Sequence, residues 1–140
     1  MNLIFLDFDG VLHAVHCDPK DYFCRLPILE DALVRANAQI VVSSSWRFHF
    51  STDEILQLFP FSLRRLIVGF TGEAHVGSYA RYNEIKTYAE LNGEADWLVI
   101  DDSRFEFPPH FDRLILCDGK VGISEKEVDL LGKRLSGAKR

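Results

Sequence analysis

The stretch Asn2-Leu3-Ile4-Phe5-Leu6-Asp7-Phe8-Asp9-Gly10-Val11 decides the fold. Leu3–Leu6 is a short, unbroken apolar run, which predicts a strand buried on both faces of a parallel sheet. The run stops at two carboxylates one residue apart, followed by a glycine. In an open α/β sheet, ligands bind just past the carboxyl ends of the strands. Asp7 and Asp9 held there repel each other, and a hard cation would relieve that repulsion. Asp and Gly are also common turn formers, so the pair alone has a plain structural reading.

Similar apolar runs recur at Gln39–Val42 and at 66–68, 97–100 and 113–116. Helical patterns lie between most of them. Residues 28–37 place Ile28, Leu29, Ala32, Leu33 and Ala36 on one face, and 53–59 follows a Ser51/Glu54 capping box. Residues 81–91 carry Ile85, Tyr88 and Ala89 as a stripe, and 124–135 opens with a second box from Ser124 and Glu127. Strands alternating with helices predict a three-layer α/β domain with a mostly parallel sheet. Residues 13–26 read as an irregular flap or loop, and 136–140 as a frayed tail.

The 140 residues fit a single domain over 1–140, and 47% hydrophobic with 26% charged residues is ordinary for a soluble globular protein. A net charge of −5 argues against nucleic-acid binding through a broadly basic surface but leaves room for a local patch. No apolar stretch approaches a membrane span, and the N-terminus enters a strand without a basic leader, so no secretory signal is expected. Cys17, Cys24 and Cys117 are odd in number and form no Cys-x-x-Cys pair, which fits free thiols and a cytoplasmic location.

Two further strands end in chemistry-bearing residues. The second runs into Val42-Ser43-Ser44-Ser45-Trp46-Arg47, where a hydroxyl can donate to a phosphoryl oxygen; helix capping by serine is the structural alternative. The fourth runs into Ile100-Asp101-Asp102-Ser103. Acid pairs after two strands of one sheet point to a cation site. The basic candidates are Arg81 and Lys86. Arg81 lies four residues before Ile85, on the inward stripe of the first turn, whereas Lys86 lies about 7.5 Å further along the axis and is rotated off it. Arg81 is the expected site residue, and Lys86 reads as a solvated helix position.

In this order, Leu6-Asp7-Phe8-Asp9-Gly10-Val11, Val42-Ser43, a basic residue and Ile100-Asp101-Asp102-Ser103 resemble the haloacid dehalogenase (HAD) superfamily of phosphatases over nearly the whole chain. The chain looks like the small HAD domains of Swiss-army-knife RNA repair proteins. Those similarly carry a Ser-Ser-Trp-Arg segment, here Ser44-Ser45-Trp46-Arg47, and an Arg-x-x-Glu-Ile segment, here Arg81-Tyr82-Asn83-Glu84-Ile85. The superfamily more often has lysine as its basic residue.

The resemblance implies a Rossmann-like HAD fold with sheet order 5-4-1-2-3. It implies Asp7 as nucleophile, Asp9 as general acid and base, and Ser43 as a phosphoryl ligand, with Arg81 as the basic residue of the catalytic set. Asp102 would bind Mg²⁺ with Asp7 and the backbone carbonyl of Asp9, supported by Asp101. Arg47 is read as reaching substrate phosphate, and Ser44 and Gly10 join it as substrate-binding candidates. Too few residues separate Asp9 from Ser43 for a large cap domain, so the resemblance is to capless members, whose open sites often act on macromolecular ends. The expected function is Mg²⁺-dependent phosphomonoester hydrolysis, with an RNA or DNA terminal phosphate among the expected substrates. Arg47, Arg64, Arg65 and Arg104 would supply a basic rim.

The alternative is a non-catalytic phosphate-binding or receiver-like signalling module. In receivers the phosphorylated aspartate follows the third strand, and here that strand runs into Gly69-Phe70-Thr71, without an acid. His13, His16, Cys17 and Cys24 could be imagined around zinc, but their spacing matches no standard pattern. His13 is expected to border the active site and Trp46 to be core or rim. Phe105, Phe107 and Phe111 are expected in a packed loop.

Overall fold

The computed structural model describes residues 2–94 and 96–138. Its strands are β1 Leu3–Leu6, β2 Gln39–Val42, β3 Ile67–Phe70, β4 Trp97–Asp101 and β5 Leu114–Leu116. All pair in parallel in the order β3-β2-β1-β4-β5, the expected order read from the other edge. Leu6 of the central strand is in register with Val42 on one side and Ile100 on the other. Asp7, Ser43 and Asp101 therefore leave the sheet side by side.

The helices are α1 Leu26–Arg35, α2 Thr52–Leu56, α3 Phe61–Arg64, α4 Ala80–Leu91 and α5 Glu125–Ala138. Successive strand residues point to opposite faces. Ile4, Leu6, Ile40, Val42, Ile100 and Ile115 pack with residues of α1, α2, α3 and α5, while Leu3, Phe5, Val41 and Val99 pack with Ile85 and Ala89 of α4. That split produces the three layers. The segments joining β1, β2 and β3 contain only α1, α2, α3 and short 3-10 turns, so no cap domain is inserted.

Boundaries shift for identifiable reasons. α1 starts two residues before the predicted 28 because Pro27, in the first turn, gives up an N–H that has no intrahelical partner there. It ends early, and Asn37 turns left-handed with φ 49°. The predicted helix 53–59 is shorter: α2 keeps its Ser51/Glu54 capping box, and extended Pro60 starts the unforeseen α3. β3 continues through Gly69, where a Cβ would collide with the Tyr88 side chain from α4. The predicted tail is corrected in part: the backbone stays helical to Ala138, and 139–140 lie outside the described residues.

The 13–26 segment is the expected irregular loop, with a 3-10 turn at Pro19–Asp21, and it is anchored to the core rather than hanging free. His13 is fully buried, Phe23 packs against the core, and the Arg25 amide donates to the Leu12 carbonyl at 2.8 Å. None of the described helices is long and apolar enough to cross a membrane.

Candidate active site

The three carboxylates that converge are Asp7, Asp101 and Asp102, each with an oxygen within 4.8 Å of the others. Asp7 and Asp101 are buried and Asp102 is half-buried. Burial pushes the Asp7 carboxyl well above its ordinary pKa, the Asp101 and Asp102 charges add to that, and Arg81 pulls against it. Burial also raises Asp101, opposed by Arg81 and by the Ser103 amide.

α4 leads into β4, so its N-terminus lies at the carboxyl edge of the sheet. Arg81, in its first turn, reaches back with one nitrogen. Nη1 stands 2.7 Å from Asp101 Oδ2 and 3.2 Å from Asp7 Oδ1. Burial alone would lower the guanidinium pKa, but the two carboxylates outweigh it and hold that pKa above its usual value. Lys86 points elsewhere, with Nζ 3.9 Å from Glu90 Oε1 and over the Tyr82 ring. One guanidinium against three carboxylates leaves excess negative charge. Asp101 uses both oxygens, on Arg81 and on the Ser103 amide at 2.9 Å. Asp7 and Asp102 thus keep the most coordinating capacity, and a hard divalent cation fits this oxygen-only donor set.

Gly10 belongs to this centre in a different way from the one expected. Its φ is +81°, and a Cβ there would run into the Asp102 carboxylate. Its amide donates to the His13 carbonyl at 2.8 Å, so it is already occupied and not offered to substrate. Gly10 makes room for Asp102.

At the end of β2, Ser43 is fully buried, and among the described residues its Oγ has no hydrogen-bond partner. Buried hydroxyls are rarely left so. Beside Asp7, a phosphoryl oxygen would satisfy it. Ser44 does something else: its hydroxyl accepts the Trp46 amide at 3.2 Å and caps the turn Ser45–Phe48.

Arg47 is a buried strut, which corrects the expectation that it reaches phosphate. Its Nη1 donates to the Ser43 and Ser44 carbonyls at 3.1 and 2.9 Å, and Nε to the Gly72 carbonyl at 3.1 Å. Nη2 meets Glu84 Oε1 at 2.7 Å, and the other Glu84 oxygen accepts the His75 amide at 3.0 Å. This network ties the loops after β2 and β3 to α4 and fixes the Ser43 peptide. Removing one partner of a buried pair leaves the other charge uncompensated. Glu84→Ala should lower unfolding free energy by about 3 kcal/mol in urea denaturation. A loss below about 0.5 kcal/mol, the range of exposed pairs, would show that the network adds little to stability.

Asp9 is the accessible acid, with its side chain 45% exposed. His13 Nε2 lies 2.7 Å from Oδ1, and Trp46 Nε1 donates to Oδ2 at 3.0 Å. His13 thus borders the site as expected. The Trp46 contact, 37 residues from its partner, had no signal in the local sequence.

The predicted basic rim does not form. Arg64 and Arg65 precede β3, at the sheet edge away from Asp7. Arg64 caps the Leu56 and Phe59 carbonyls, and Arg104 caps those of Phe107, Pro108 and Pro109. In the Pro108-Pro109 loop, Phe107 stacks on Phe111, but Phe105 is almost fully exposed. Among the described residues, groups of three or more candidate metal ligands come down to the Asp7, Asp101 and Asp102 cluster, so the His13–Cys24 segment forms none.

A family model described as the HAD domain in Swiss Army Knife RNA repair proteins matches residues 3–128, which include every residue discussed above as a site candidate. No curated protein matches the chain significantly.

Proposed function

The chain belongs to the family of HAD domains found in Swiss Army Knife RNA repair proteins, and from that premise we propose that it is a Mg²⁺-dependent phosphomonoester hydrolase working through an aspartyl-phosphate. One juxtaposition carries the reading. Asp7 sits in a three-carboxylate cluster, touches Arg81, and neighbours the unpartnered hydroxyl of Ser43 at the adjoining strand end.

Asp7 and Asp102, with the Asp9 carbonyl and Asp101 in support, would hold Mg²⁺, which supplies charge neutralisation between an anionic nucleophile and a phosphate dianion. The Asp7 carboxylate attacks phosphorus, and the bond to the leaving oxygen breaks as that oxygen takes a proton from Asp9. Asp9 then takes a proton from water, which attacks phosphorus, frees inorganic phosphate and restores Asp7. Ser43 donates to a phosphoryl oxygen, and Arg81 offsets charge gathering there.

A receiver-like module would need its phosphorylated aspartate after β3. That position leads to Thr71, whose hydroxyl bonds the Val42 carbonyl, and the acids gather instead after β1 and β4. This favours hydrolysis over signalling. Free Cys17, Cys24 and Cys117 support placing the enzyme in a reducing cytosol.

For the substrate, we favour a terminal phosphate on RNA or DNA. The family and the uncapped site support it, and exposed Tyr22, Phe50 and Phe105 on loops after β1, β2 and β4 offer flat apolar surface. The test is a panel of 3′- and 5′-phosphorylated oligonucleotides, sugar phosphates and phosphopeptides. At least one oligonucleotide should release phosphate with Mg²⁺ and none with chelator. Inert oligonucleotides beside a rapidly hydrolysed sugar phosphate would overturn the substrate class. No release from any monoester would overturn the hydrolase.

A further inference from the structure

We propose that His13 and Trp46 are positioning residues that hold the Asp9 carboxylate by both oxygens and keep it aimed at the leaving group. The inference rests on the hydrolase reading. It goes beyond that reading by giving two aromatic side chains a role in the proton-transfer geometry.

The two donors come from different loops, His13 from the one after β1 and Trp46 from the turn after β2. An indole N–H only donates, so the contact from Trp46 to Asp9 Oδ2 has one direction. The direction at His13 is also fixed. Its Nδ1 accepts the Phe23 amide at 3.2 Å, which places the ring proton on Nε2, facing Asp9 Oδ1 at 2.7 Å. Phe23 adopts φ 66°, an uncommon backbone conformation for a bulky residue. Its ring stacks on His13 with an interplanar angle of 16°. Trp46 is locked in turn against Phe8, Phe23, Tyr22 and Phe50. Each carboxylate oxygen keeps a second lone-pair direction. Asp9 is therefore held in place yet still open on its exposed side to carry a proton and pass it to the leaving oxygen.

A misaimed acid matters only when the leaving oxygen needs a proton. An alkoxide departs poorly without one, and a dinitrophenolate departs readily. The ratio kcat/KM reports transfer to Asp7 alone, so the later activation of water does not enter it. The variants are Trp46→Phe, His13→Leu and His13→Gln, whose amide can replace both ring nitrogens. With Mg²⁺, Trp46→Phe and His13→Leu should lose about a hundredfold in kcat/KM on methyl phosphate. They should lose less than about threefold on dinitrophenyl phosphate, a result that also shows they are folded. His13→Gln should recover most of the methyl phosphate activity. Equal losses of Trp46→Phe on both esters, or no loss on either, would overturn the positioning role while leaving the hydrolase standing. A wild-type protein that releases phosphate from no monoester, oligonucleotides included, would overturn the two together.

Discussion

Asp7→Asn is expected to abolish turnover, a loss on the order of 10⁴-fold or more, because an amide cannot form the acyl-phosphate. The same substitution should make the metal-free protein more stable at neutral pH. The folded Asp7 carboxyl binds its proton more tightly than the unfolded one, driven by burial and by Asp101 and Asp102. Its contribution to stability is therefore intact below the unfolded pKa and is lost as pH rises towards the raised folded value. Asparagine carries no charge and escapes that loss. In thermal melts at neutral pH without metal, Asp7→Asn should unfold several degrees above the wild type, and the gap should close on acidification. Mg²⁺ should stabilise the wild type progressively more as pH rises, since the cation and the proton compete for one carboxylate. Full activity in the variant would mean that Asp7 is not the nucleophile, and a metal-free melt below the wild type at neutral pH would mean that it is not a destabilised acid.

The parts of this site visible in the sequence were those set by strand ends. Buried parallel strands are written as apolar runs, so Leu6, Val42 and Ile100 announce where Asp7, Ser43 and Asp101 emerge. Arg81 was legible because a helix stripe fixes which face its first turn presents. What stayed hidden was where long side chains go. Arg47 looked available because arginine suits phosphate. Only the folded chain shows Glu84 and three backbone carbonyls around it. Glu84 and Arg47 both lie in segments that carry the family resemblance, but nothing local says that they meet. Gly10 and Gly69 read as a ligand loop and a strand end. Their reasons are the Asp102 and Tyr88 side chains, which arrive from distant parts of the chain.

Arg81→Ala should cost about 10²–10³ in kcat/KM, the range for removing one group that faces developing charge. Lys86→Ala should change it by less than about twofold, since its pairing with Glu90 is long and exposed. The two losses differ because Arg81 alone touches the acids, and equal or reversed losses would mean that the base is misplaced. The pH profile adds a second readout. Arg81 is the charge that pulls the Asp7 and Asp101 carboxyls downward against burial. Without it both hold their protons to higher pH, so the acid limb of kcat/KM should move upward. Arg81→Lys discriminates further. A single nitrogen, Nη1, makes both the 2.7 Å contact with Asp101 and the 3.2 Å contact with Asp7. One ammonium can occupy that same point. The lysine variant should therefore keep the wild-type acid limb and lose only about tenfold, through the imperfect reach of a shorter stem. A lysine variant as impaired as the alanine one would show instead that the planar fork, and not the charge at Nη1, is what the site requires.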